Sequence, residues 1–209
     1  MTQTRTPIGV LIMAYGGPDS LEEIPGYLAD IRSGRPTTPS VLEEITDHYR
    51  RIGGRSPLLE ISRRQVDGLA KSLGPDYACY LGMRHWSPWI EEVVRDMIVD
   101  GIQVAVSLVL TPQFSGHSVA KYQSKIRNGL RMYRGDIEFT NISSYHDHPK
   151  YIDAMAARVR EGLDERNDRG STHVVFSAHS LPTRIIDEGD PYDAQCRKSA
   201  ALVAKRAGL

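Results

Sequence analysis

Val174-Val175-Phe176-Ser177-Ala178-His179-Ser180-Leu181-Pro182 is a short apolar run, rich in β-branched residues, that breaks abruptly into a histidine. It is too short for a helix and reads as a buried parallel strand. His179 then stands at the strand's end, and in open α/β sheets the ligand crevice lies just outside the carboxyl ends of the strands. A few residues on, Gly189-Asp190-Pro191-Tyr192 opens a helix. Asp190 is the expected N-cap, Pro191 the first helical residue, and Asp193 an acid in the first turn.

The same alternation extends outward along the whole chain. Ile8 to Ala14 is a continuous apolar run ending at Tyr15-Gly16-Gly17-Pro18, where glycines open backbone conformations closed to other residues. The loop lacks the third glycine of the dinucleotide fingerprint, so a nucleotide site here is disfavoured. Ser20 with Glu23, and Ser40 with Glu43, have the spacing of capping boxes for two helices. The first of these runs out in the basic loop Ile31 to Pro36, and the second carries His48 and Tyr49 before stopping at Gly53-Gly54. Ser56-Pro57 starts a third helix. Tyr77 to Met83 is the next strand, followed by Arg84-His85 and by a helix capped at Ser87-Pro88 with the stripe Ile90, Val93, Val94, Met97. Val104 to Leu110 is a strand, and a helix from about Ser115 to Tyr133 sets Ser118, Tyr122 and Lys125 on one face. Ile137 to Ile142 reads as a strand, Pro149 to about Glu165 as a helix, and a final helix reaches Ala207. His146 and His148 flank Asp147 in a turn. Strands alternating with helices predict an α/β fold with a mostly parallel sheet and helices on both faces. The expected division is an N-terminal domain over 1–147 and the start of a second over 148–209.

The composition narrows the function classes. Lysine plus arginine and aspartate plus glutamate both number 26, so the chain offers no basic field for nucleic acid. The apolar run Ile8 to Ala14 is far shorter than the roughly 20 residues that span a bilayer. Cys79 and Cys196 form no CxxC pair and suit a reducing cytoplasm better than a disulfide framework.

MAYGGP (Met13 to Pro18), IRSGR (Ile31 to Arg35), YRRIGGRSPL (Tyr49 to Leu58), GMRHWSP (Gly82 to Pro88), FSGHSVAKY (Phe114 to Tyr122), SAHSLP and GDPY together resemble the ferrochelatases, which insert ferrous iron into a porphyrin. Their order and spacing run from Ile8 to the last residue. The resemblance implies a chelatase-like fold of two similar α/β domains facing each other across a porphyrin cleft, the first Rossmann-like domain complete here and the second truncated. It implies that His179 is catalytic and meets the metal, and that Tyr15 approaches the iron on the opposite face. A tyrosine in MAYG is similar to the coproporphyrin ferrochelatases of Gram-positive bacteria. Arg32, Tyr49, Ser56 and Tyr122 match positions that contact the macrocycle or its propionates. His48 stands where relatives often carry arginine. The family's second catalytic element, a glutamate, would lie beyond Leu209. No cofactor is implied. Ferrous iron is a substrate, iron coproporphyrin (haem) the product ligand, and a downstream enzyme of haem synthesis a possible partner.

Metalling a porphyrin removes two pyrrole protons and delivers a desolvated ion to a ring that must be bent. Imidazole suits the base, because its unperturbed pKa of about 6.5 lies near neutrality. Binding energy at the ring periphery can distort its centre. Arg32 and Arg35 suit that purpose, since guanidinium pairs with carboxylate in a bidentate fork. His85 and His117, near a strand end and a helix start, are further candidates on a metal path. The chemistry leaves three readings: a coproporphyrin-type ferrochelatase, a non-catalytic haem or porphyrin binder, and a cobalt chelatase of the sirohydrochlorin group. The match to YRRIGGRSPL and GDPY disfavours the third.

Overall fold

The computed structural model describes residues 6–166 and 171–209. In chain order the elements are β1 (Ile8–Ala14), α1 (Ile24–Ile31), α2 (Pro39–Arg51), α3 (Leu58–Leu73), β2 (Tyr77–Met83), α4 (Ile90–Val99), β3 (Val104–Val109), α5 (Val119–Tyr133), β4 (Glu138–Ile142), α6 (Pro149–Asp164), α7 (Arg184–Asp187) and α8 (Tyr192–Ala207). The chain divides into two compact units, one made of 1–110 and 122–141, the other of 111–121 and 142–209.

The first unit holds a four-stranded sheet in the order β2-β1-β3-β4. β1 runs parallel to both neighbours, Ile8 to Ala14 pairing with Tyr77 to Met83, and Gly9 to Met13 with Ala105 to Val109. The strand is central because both its faces are apolar, and Val10 to Ala14 are all buried. Val10 and Ile12 point to α3, where Val66, Leu69 and Leu73 cover them. The opposite face receives α4. A Cβ on Gly9 would stand 2.7 Å from Met97 Cε, and one on Gly82 would stand 2.9 Å from Ile90 Cγ1. The stripe Ile90, Val93, Val94, Met97 is buried as expected. Helices thus cover both faces, as the alternation requires. Because the order steps from β1 to β2 on one side and then back across to β3 on the other, the strand order reverses between β1 and β3 while the strands stay parallel.

Three expected caps shift. Glu23 does reach back, but its Oε2 accepts the Asp19 N–H at 2.7 Å, so Ser20 is not the partner. α2 is capped by Thr38, whose Oγ1 accepts from Val41 N, not by Ser40. Pro39 explains the shift, since a proline at the first helical position moves the cap to the residue before it. α4 starts at Ile90 without a side-chain cap, so Ser87-Pro88 only leads into it. Ser56 does cap α3, its Oγ accepting the Leu58 N–H at 3.2 Å.

In the second unit, α6 and α8 pack through Ile152, Ala156 and Val203. Asp190 is the organising residue. Its Oδ1 accepts the Tyr192 N–H at 3.0 Å, which caps α8, while its Oδ2 accepts from Gly116 N at 2.8 Å and Ser115 Oγ at 2.9 Å. GDPY therefore both starts a helix and fixes the loop carrying His117. The segment expected to be a buried strand is not one. Val174 to Leu181 has no ladder partner among the described residues, and Val175 is 84% exposed. Apolar β-branched sequence favours an extended chain, but a strand also needs a neighbouring strand for its N–H and C=O groups, and the described residues supply none here.

Candidate functional site

Tyr15 follows β1 directly and lies at the carboxyl end of the central strand, beside the β1/β3 reversal where doubly wound sheets place ligands. The loop after it is clamped from several sides. Tyr27 OH donates to Gly16 O at 3.2 Å, and Ser56 N donates to Pro18 O at 2.9 Å. A Cβ on Gly17 would stand 2.5 Å from Ser56 Oγ, so only glycine lets the loop lie this close to the start of α3. The Tyr49 hydroxyl lies 3.7 Å from the same position, and its ring meets that of Tyr27 edge-on at 6.4 Å.

The chain after β2 completes the group. Arg84 N donates to Ala14 O and His85 N to Tyr15 O, both at 2.9 Å, so the two turns advance in register. The His85 ring lies 4.6 Å from that of Tyr15, and its Nδ1 is 2.6 Å from Asp30 Oδ2. The Arg84 guanidinium lies over the Tyr122 ring at 5.3 Å. Lys125, three residues further along α5, pairs with Glu91 at 3.0 Å and covers the Trp89 ring. Trp86 Nε1 donates to Glu23 Oε2 at 3.0 Å, tying α1 to the same loop.

Burial sets the protonation states. The Tyr15 phenol is pushed up by burial, held back by Arg84 and raised further by Asp30 and Tyr49. Buried Tyr122 is pushed up to about 12, again by desolvation first, with Arg84 opposing. His85 is held below the ordinary imidazole value by burial, against the Asp30 hydrogen bond. The free protein therefore presents neutral phenols and a neutral imidazole around one guanidinium.

The residues anticipated from sequence separate into groups. Tyr15, Tyr49, Ser56 and Tyr122 come together at this loop. Arg32 and Arg35 turn toward their own backbone, Arg32 Nη2 donating to Pro36 O at 3.0 Å and Arg35 Nε to Arg32 O at 3.0 Å. His48 is an exposed residue in the last turn of α2. Ser118 sits in the turn before α5, off the helical face expected to carry it with Tyr122 and Lys125.

His179 belongs to the second unit. It is exposed, its carbonyl accepts from Tyr192 OH at 3.1 Å, and it lines a groove of about 740 Å³ with Val174, Phe176 and Cys196. His117 approaches Glu188 at 3.5 Å, and His146 lies in the expected turn, its Nδ1 2.7 Å from Ser144 Oγ. Asp30, Arg84 and Tyr27 were not legible as site residues. Asp30 and His85 are 55 positions apart, and no local spacing signals that meeting. Among the described residues no group of three or more histidines, cysteines or acids is placed to hold a metal ion, and no helix is long and apolar enough to cross a membrane.

The ferrochelatase family profile matches residues 7–209. A ferrochelatase of Deinococcus radiodurans is 55% identical over 98% of this chain and 66% of its own length. A coproporphyrin III ferrochelatase of Halalkalibacterium halodurans is 38% identical over 99% of this chain and 68% of its own, and one of Bacillus pumilus is 38% identical over 98% and 68%. The chain thus spans about two thirds of the length of the relatives it matches.

Proposed function

The chain belongs to the ferrochelatase family, and on that premise we propose that it takes part in haem synthesis in the cytoplasm by inserting ferrous iron into a porphyrin, most specifically coproporphyrin III. The observation that carries this reading is the gathering of Tyr15, Tyr49 and Ser56 at the carboxyl end of β1, with Tyr122 buried beside them, where a flat ring can lie against the exposed Tyr15 side chain. The relatives named as coproporphyrin III ferrochelatases support the choice of substrate.

In this reading the aromatic residues and Ser56 hold the ring, with Arg32 and His48 at its carboxylate rim. Arg32 must release Pro36 O to reach a propionate. Tyr15 faces the metal on one side of the ring. Its phenol is protonated in the free protein, so close approach to iron requires loss of that proton to the metal's charge. His179 takes a pyrrole proton and meets the incoming ferrous ion, while the second proton leaves to solvent. No cofactor is needed, because neither oxidation state nor carbon bonding changes.

A second reading has its own support. Among the described residues the exposed segment of His179 has no ladder partner, and a base that must meet a ring nitrogen within hydrogen-bond reach needs a firmer hold. The chain would then bind iron coproporphyrin without turning over. Steady-state insertion of ferrous iron into coproporphyrin III and protoporphyrin IX decides between them. Turnover with preference for the first compound supports the enzyme, and tight binding without turnover supports the binder. Absence of binding to either porphyrin overturns both.

A further inference from the structure

We propose that Arg84 is a carboxylate anchor for the ring substrate, a specificity-determining residue absent from the set read in the sequence; this rests on the porphyrin reading above.

The argument begins with an unbalanced charge. Arg84 is half-buried at the end of β2, and among the described residues no carboxylate lies within ion-pair distance of it. Asp30, the acid of this site, is engaged by the His85 ring at 2.6 Å. Lys125, the other cation nearby, has Glu91 at 3.0 Å. Arg84 has instead the face of Tyr122, at 5.3 Å. An aromatic face steadies a guanidinium but leaves its fork of donors largely free. A half-desolvated cation is held more cheaply when a bound anion completes it.

Its position says which anion. Arg84 N is bonded to Ala14 O, and the guanidinium reaches Tyr122 on α5, so the side chain lies by Tyr15 at the carboxyl end of β1. That is the ligand side of a doubly wound sheet. Arg32 and Arg35 differ from it, since their guanidiniums are closed onto backbone carbonyls of their own loop. A porphyrin with carboxylates on every side of the ring can satisfy both the loop and Arg84. One with carboxylates on a single edge reaches only one of them. Arg84 thus favours coproporphyrin over protoporphyrin.

Binding of metal-free coproporphyrin III and of its tetramethyl ester, followed by tyrosine and tryptophan quenching, tests this in the parent, Arg84→Gln and Arg84→Lys. Far-UV circular dichroism and the thermal midpoint establish that the variants fold. Arg84→Gln is expected to weaken the tetra-acid by about tenfold or more, to reduce the salt dependence of its binding, and to leave the ester within about twofold. Arg84→Lys keeps the charge without the planar fork and falls between. A tetra-acid affinity unchanged in Arg84→Gln, or an ester weakened equally, overturns the anchor and leaves the porphyrin reading intact. A parent that binds neither compound overturns the porphyrin reading and the anchor with it.

Discussion

His85 Nδ1 and Asp30 Oδ2 stand 2.6 Å apart, and this short contact joins the end of β2 to α1 beneath the Tyr15 ring. It leaves His85 only 8% exposed yet without a charge of its own, because burial outweighs the carboxylate. A histidine less basic in the folded chain than in the unfolded one gives stability that is complete above the unfolded value of about 6.5. That stability is lost as pH falls toward the lower folded value, since the unfolded chain takes up the proton first. Urea midpoints measured from pH 7.5 to 5 are expected to fall more steeply for the parent than for His85→Phe. Parallel slopes would mean that His85 is already charged in the native state.

Tyr15 carries a second prediction. Iron coproporphyrin bound to the parent should show a phenolate-to-iron absorption band, and Tyr15→Phe should abolish it while keeping the complex. An unchanged spectrum in the variant places another group on the iron and removes Tyr15 from that role. The wider family assignment is unaffected by either result.

For His179 the expectation concerns rate and not affinity. His179→Ala should keep coproporphyrin binding within about threefold and lower iron insertion by about 10²–10⁴-fold, the usual contribution of a general base. Insertion within about tenfold of the parent rules out the base assignment.

Asp190 tests the second unit by itself. Its carboxylate accepts from Tyr192 N, Gly116 N and Ser115 Oγ. Asp190→Ala removes a helix cap and two loop contacts together, which should cost about 2–4 kcal/mol. Asp190→Asn keeps one acceptor oxygen and should recover part of that. A urea midpoint unchanged in the alanine variant would show that the loop holds without it.

The sequence was most legible where local pattern and tertiary setting agreed. Tyr77–Met83 is a strand to the residue, because it is an apolar run bounded by Pro75-Asp76 and by Arg84, and β1 lies alongside to pair with it. Val174-Val175-Phe176 has the same local chemistry and was read the same way, but no described strand accepts its backbone. Periodicity reports what a segment prefers; pairing depends on a neighbour that the run does not encode. Spacing points to Ser20 and Ser40 as caps, but α1 starts only at Ile24 with Glu23 at its N-cap position and no side-chain cap, and Pro39 hands the α2 cap to Thr38. At the site, Tyr15, Tyr49, Ser56 and Tyr122 were found through motif resemblance. Arg84 lies within GMRHWSP, where no local pattern assigns it a role. Its meaning lies in the Tyr122 ring it covers and in the lack of a carboxylate partner among the described residues, and both are facts of three dimensions.

The glycines at positions 9 and 82 carry a consequence for genetics. Each marks a place where α4 rests on the sheet with no room for a methyl group, one near Met97 and the other at Ile90. Trp89 immediately precedes that helix, and Glu91, in its first turn, holds Lys125 over the Trp89 ring. A side chain added at Gly82 meets the backbone and side chain of Ile90 and lifts the near end of α4, while one added at Gly9 presses on Ile102, just past the far end, and on the Met97 tip, so either disturbs the frame on which that corner is built. A search for loss-of-function alleles should therefore recover lesions at both glycines alongside those at Tyr15 and Tyr122, though neither glycine has a side chain with which to touch a substrate.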